Sequence, residues 1–83
     1  MKGFIEFIAK HLVNKPEAVR VVEKKEENEI EYELYVDESE IGKVIGKGGK
    51  TARSIRTLLK AVAAVNGKRV TLNIPNEKNY NRN

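Results

Sequence analysis

The 83-residue chain has no cysteine and no tryptophan, and only one histidine and one methionine. Without cysteine it can form neither a disulfide framework nor a thiolate metal site, and a reducing cytoplasm suits it. One histidine, His11, and two serines, Ser39 and Ser54, provide no evident nucleophile and general base, so no catalytic residues are assigned. Nothing in the spacing calls for a metal or cofactor. Long hydrophobic runs are missing too. The apolar N-terminal stretch Met1–Val13 is broken by Glu6 and Lys10 and lacks a small-residue cleavage site, so it reads as neither a membrane span nor a signal peptide. This length leaves room for one domain with a modest core, and no internal repeat is visible.

Acid is absent from one whole region. Nine acidic residues lie between Glu23 and Glu40, whereas Ile41 to Leu72 holds eight lysines or arginines and no acid. The formal net charge of +4 says little by itself, but this segregation predicts a positive face over the second half of the chain.

Hydrophobic periodicity sets the order of elements. Phe4, Ile5, Ile8, Ala9 and Leu12 fall on one side of a helix from about residue 3 to 13, which Asn14, Lys15 and Pro16 end. His11 borders that apolar side and reads as a boundary residue. Ala18 to Lys24, rich in valine, predicts a strand, and Lys25–Asn28 a polar turn. Glu29 to Val36 alternates Ile30, Tyr32, Leu34 and Val36 against Glu29, Glu31, Glu33 and Tyr35, a strand with one wet face. The glutamate ladder reads as solvated carboxylates that repel nucleic acid, not as a metal site. Asp37 or Ser39 can cap a short helix carrying Ile41, Val44 and Ile45. A second helix, about Lys50 to Asn66, predicts a core stripe of Ile55, Leu58, Leu59, Val62 and Val65, with Gly67 as its stop. Val70, Leu72 and Ile74 alternate in a last strand closed by Pro75. Residues 76–83 form a polar tail expected to be disordered, leaving one domain over residues 1–75.

The informative stretch is Val44–Ile55, where glycines separate the two helices. Gly46, Gly48 and Gly49 permit positive φ and close approach of a ligand to the backbone. Free N–H groups at the following helix start favour an anion. Gly49-Lys50-Thr51 imitates the end of a P-loop, but the required first glycine falls on Val44, and Thr51 stands where a dinucleotide fingerprint needs its last glycine. What remains is an apolar pair, Gly46-Lys47-Gly48-Gly49, and an apolar anchor at Ile55. This resembles the KH domain, whose G-x-x-G loop clamps about four nucleotides.

The element order extends the resemblance to nearly the whole chain. Helix, strand, strand, helix, glycine turn, helix, strand is the α-β-β-α-α-β order of a type II KH domain. That order implies an α+β fold with a three-stranded mixed sheet and helices packed on one face. With Ile55-Arg56-Thr57-Leu58-Leu59 after the loop, the chain is similar to the small bacterial single-KH proteins of the KhpA family. The resemblance implies non-catalytic binding of single-stranded RNA, with single-stranded DNA left open by the residues themselves. It assigns phosphate contacts to Gly46, Lys47, Gly48, Gly49, Lys50 and Arg53, extended by Lys43. By the same resemblance bases would lie between the short helix and the second strand, against Ile41, Val44 or Ile45, although the sequence itself suits most of these residues to the core. No aromatic residue stands near the loop, so base stacking is not implied, and weak, unselective binding is expected. An RNA chaperone or a post-transcriptional regulator would both fit.

Weak binding makes self-association useful. Thr57, Ala61 and Ala64 share one side of the second helix, and small residues at that spacing permit close helix approach. The family resemblance adds dimerisation, with itself or with a second KH-containing protein. The alternative class is a protein–protein adaptor that keeps the KH shape, against which the intact glycine loop and its cations argue.

Overall fold

A computed structural model of the chain describes residues 1–75 and Glu77. Helix α1 covers Lys2–Leu12, strand β1 Arg20–Lys25, strand β2 Glu29–Tyr35, helix α2 Ile41–Ile45, helix α3 Lys50–Val65 and strand β3 Arg69–Asn73. Short 3-10 turns occupy Pro16–Ala18, Glu38–Glu40 and Lys47–Gly49. The polar tail expected over 76–83 lies outside the described residues apart from Glu77.

The three strands form one mixed sheet in the order β1-β2-β3. β1 and β2 are antiparallel, with Arg20 opposite Tyr35 and Lys25 opposite Ile30. β2 and β3 are parallel, with Glu29 opposite Arg69 and Tyr32 opposite Leu72. A parallel pair needs a crossover, and α2, the glycine turn and α3 supply it. Alternation then decides the faces: Val21, Ile30, Tyr32, Leu34, Val70 and Leu72 turn inward and are buried. Ile5 and Ala9 of α1, Val44 and Ile45 of α2, and Ile55 and Leu59 of α3 cover them from one side. The fold is therefore α+β, a three-stranded mixed sheet with helices on one face. No helix among the described residues is long and apolar enough to cross a membrane.

The expected stripe on α3 is corrected by the packing. Ala52, Ile55, Leu59 and Ala63 form the buried row, while Leu58, Val62 and Val65 are 51%, 46% and 86% exposed. The buried row sits at positions 52, 55, 59 and 63, and the larger aliphatics at 58, 62 and 65 lie on the flank beside it. At the far end Gly67 (φ 70°) makes the stop, with the Lys68 N–H reaching Ala63 O at 2.9 Å.

The open face of the sheet carries the glutamate ladder, and its carboxylates have cross-strand partners. Glu33 lies 3.9 Å from Lys24 Nζ, and Glu31 accepts from Asn73 Nδ2 at 2.7 Å. Arg20 stacks over the Tyr35 ring at 5.1 Å. This face is locally balanced more than repulsive. Among the described residues no cluster of His, Asp or Glu is arranged to hold a metal. His11 stays on α1 as a boundary residue, its Nδ1 paired with the Phe7 carbonyl at 2.8 Å.

Candidate functional site

The glycine turn is held at the end of a short helix that is itself fixed from behind. Glu40, immediately before α2, is only 4% exposed. Its carboxylate accepts the backbone N–H groups of Asn14 and Lys15, Lys15 at 2.9 Å, which ties the end of α1 to the start of α2. Asp37 accepts the Ser39 N–H at 2.9 Å, capping the 3-10 turn, and lies 3.5 Å from Lys15 Nζ. Hydrogen bonds from the Ser39 hydroxyl and N–H, with Lys15 nearby, hold the Asp37 carboxyl below its ordinary value. Ile41, Val44 and Ile45 then anchor α2 in the core.

Those anchors have a consequence for the expected base-binding surface. Ile41 and Ile45 are 5% and 1% exposed, and Val44 is fully buried. They stabilise the platform under the loop, and little apolar surface from them reaches solvent. β2 is moreover the central strand, hydrogen-bonded on both sides, and a small hollow lined by Leu34, Tyr35, Val36, Ile41 and Ile74 opens between its end and α2.

At Gly46 the backbone adopts φ 78°, ψ 171°, a region essentially reserved for glycine. A Cβ there would lie 2.6 Å from Thr51 Cβ and 2.8 Å from the Thr51 backbone nitrogen. Gly48 (φ 64°) and Gly49 (φ 78°) are left-handed, and a Cβ on Gly48 would meet open space. The Gly49 N–H bonds Gly46 O at 3.0 Å and the Lys50 N–H bonds Lys47 O. The Gly49 and Lys50 N–H groups thus close the loop's own turns, leaving the Gly48 N–H outside both of them.

The cations gather around this loop. Lys43, Lys47, Lys50 and Arg53 are all exposed. Beyond them, positions 50, 53, 56 and 60 recur every three or four residues and share one flank of α3. That flank overlooks β3, the edge strand, across a shallow groove lined by Arg56, Leu59, Lys60 and Val70–Leu72. A contiguous hollow adds Lys68 and Arg69 beside Lys60, with Glu29 of β2 also lining it. A basic track therefore runs from Lys47 to Arg69. Sequence reasoning had the first half of it. The second half was legible in the spacing of Arg56 and Lys60 after Lys50 and Arg53, while Glu40 carried no signal beyond an acid preceding an apolar helix.

Thr57, Ala61 and Ala64 are exposed on α3. Leu58, Val62 and Val65 form the adjacent exposed row, so the surface on that side is more apolar than small residues alone would make it.

Residues 2–74 match the family model described as KhpA/KhpB, KH domain. "RNA-binding protein KhpA" of Chlamydia pneumoniae is 50% identical over 78 residues, 94% of this chain and 100% of its own length. The protein of the same name from Clostridium perfringens is 49% identical over 89% of this chain and 99% of its own. That of Aquifex aeolicus is 47% identical over 89% and 94%. No solved structure matches the chain. A family match across nearly the whole domain, joined to the α-β-β-α-α-β order and the Gly46–Gly49 turn, makes this chain a member of the KhpA/KhpB family of KH-domain proteins.

Proposed function

We propose that the protein binds single-stranded RNA without catalysis, holding the phosphate backbone at the Gly46–Gly49 loop. The observation that carries this reading is the loop itself. Three positive-φ glycines stand at the head of an α3 flank bearing Lys50, Arg53, Arg56 and Lys60, in a region with no acidic residue from Ile41 to Leu72. The Gly48 N–H and the positive end of α3 favour an anion at the apex. Lys47, Lys50 and Arg53 then neutralise successive phosphates, and Lys43 extends the track behind them. The relatives named as RNA-binding proteins support the same choice of ligand.

Bases would lie along β3 in this reading, not against Ile41 and Ile45. β3 is an edge strand, so its outward backbone groups at Val70 offer hydrogen bonds that a paired strand does not. The aliphatic stems of Arg56 and Lys60 supply the apolar lining there. With no aromatic platform, affinity is modest and selectivity low. Two to four neutralised phosphates give a slope of log K against log salt of roughly −1.5 to −3. A reducing cytoplasm, where such RNA is found, is the compartment this reading implies. Chaperoning of RNA and post-transcriptional control are both consequences such weak binding can serve. The test is RNA affinity of Lys47→Asp combined with Gly48→Asp, which reverses charge at the apex. Unchanged binding by the folded double variant would contradict the loop-centred mechanism.

A second feature favours self-association, or pairing with another KH-containing protein. The exposed row Leu58, Val62 and Val65 lies beside Thr57, Ala61 and Ala64 on α3, and a contiguous apolar flank of this kind is common at interfaces. Joining two weak sites raises effective affinity with no new RNA contact.

A further inference from the structure

Beyond β3 the chain turns back on itself. The Glu77 N–H bonds Ile74 O at 3.0 Å, and the turn returns the Glu77 carboxylate to α3. There it meets Arg56 in a two-pronged pair, Nη1 to Oε2 at 2.9 Å and Nη2 to Oε1 at 2.6 Å. The remaining donor, Nε, holds the Leu72 carbonyl at 3.0 Å. Both ends of the ion pair are largely sheltered from solvent. The hydrogen bonds it donates to Glu77, against the cost of burial, raise the guanidinium's pKa above its ordinary value.

This geometry has two meanings. As a staple, it fastens the segment after β3 to α3. It is also the geometry in which arginine grips a phosphate, since the planar fork presents the same paired donors to either anion. Arg56 stands between Arg53 and Lys60 on the cationic flank. It lies six residues, roughly 9 Å of helix, beyond Lys50. A strand of about four nucleotides held at the loop is long enough to reach this point. Glu77 lies outside the span matched by the family model, which ends at residue 74.

We propose that the Nη face of Arg56 is a phosphate seat on the RNA path, and that Glu77 fills it in the free protein. The segment after β3 then competes with RNA, while Nε keeps its bond to Leu72 in both states. The proposal rests on the RNA reading given above. It makes Glu77 a brake on affinity: RNA must displace an internal carboxylate before it gains this contact, and a cation already neutralised releases no counterion.

The experiment measures binding of a short labelled single-stranded RNA of mixed sequence to the full chain across a salt series. Glu77→Gln is expected to bind about three- to fivefold more tightly at low salt, with a slope steeper by about 0.7, one more phosphate neutralised. Arg56→Gln is expected to bind more weakly and to abolish the gain from Glu77→Gln. Arg56→Lys keeps the charge without the fork, and serves as the background if Arg56→Gln does not fold; the gain is expected to vanish there too. Glu17→Gln, an exposed acid beyond α1, controls for removal of one negative charge and is expected to change binding much less. Equal gains from Glu17→Gln and Glu77→Gln would overturn the proposal. So would a Glu77→Gln gain that survives in the Arg56 background, or no gain at all while the Lys47→Asp, Gly48→Asp protein loses RNA. Retained binding in that loop variant is the separate failure of the RNA reading.

Discussion

Thr51 occupies the volume that a side chain on Gly46 would need, its Cβ only 2.6 Å from where a Gly46 Cβ would stand. Gly46 is thus fixed twice, by space and by a backbone angle outside the range of other residues. Gly48 is fixed by angle alone. Gly46→Ala is therefore expected to cost about 3 kcal/mol or more, adding steric displacement to strain of roughly 1–3 kcal/mol. Gly48→Ala is expected to cost about 1–2 kcal/mol, the left-handed penalty by itself. Urea unfolding of both variants checks this order, and equal losses would contradict the assignment of Thr51 as the obstacle.

Glu40 predicts a loss of stability at a residue far in sequence from the groups it holds. Its carboxylate serves the N–H groups of Asn14 and Lys15 from a buried position. Glu40→Ala leaves both donors to whatever water can reach them, with an expected cost of about 2–3 kcal/mol. Glu40→Gln keeps the shape but turns an amide toward one N–H, and is expected to cost about half as much. Denaturant midpoints at constant m-value would show both.

Alkaline pH is expected to weaken the fold through Tyr32. Its hydroxyl donates to Glu23 at 2.7 Å. Burial first, then that hydrogen bond and the Glu23 charge, raise its pKa well above the ordinary 10.0. The raised value means that the folded state favours the neutral phenol. The resulting stability is full below pH 10 and is lost as pH climbs past the unfolded value, by up to about 1.4 kcal/mol per pH unit. Tyr32→Phe should lose about 1 kcal/mol at neutral pH and show a flatter decline above pH 10. Parallel declines in the two proteins would assign the alkaline loss to other groups.

Self-association is expected to depend on the exposed flank of α3. Glutamates at Leu58 and Val62 should leave the fold intact, because neither belongs to the buried row, and should reduce the mass in solution to that of a monomer. Glutamates at Ala61 and Ala64 test the neighbouring row. If none of these changes alters the mass, the α3 interface is wrong.

The sequence was most readable where periodicity and chemistry coincide. The alternation of Ile30, Tyr32 and Leu34 placed β2 and its buried face, and the glycines placed the loop and both helix ends. It was least readable where size misleads. Leu58, Val62 and Val65 look like core beside Ala52 and Ala63, yet it is the small residues that pack inward. The resemblance offers Ile41 and Ile45 as groove surface, whereas their spacing equally suits a core role, and both are buried. Arg56 and Glu77 meet because a turn at Ile74 reverses the chain; Pro75 announces a turn, but no local pattern says that α3 lies within its reach.

The central claim is that phosphate is held at the glycine loop. Its most direct measurement is the affinity of short single-stranded RNA for the native protein and for Lys47→Asp combined with Gly48→Asp, each followed across a salt series. Aspartate tolerates the left-handed angle at Gly48 better than most residues, so the variant should fold, as circular dichroism can verify. The account predicts binding weakened at least tenfold and a shallower salt slope in the variant. Equal affinity and an unchanged slope in the folded variant would contradict it.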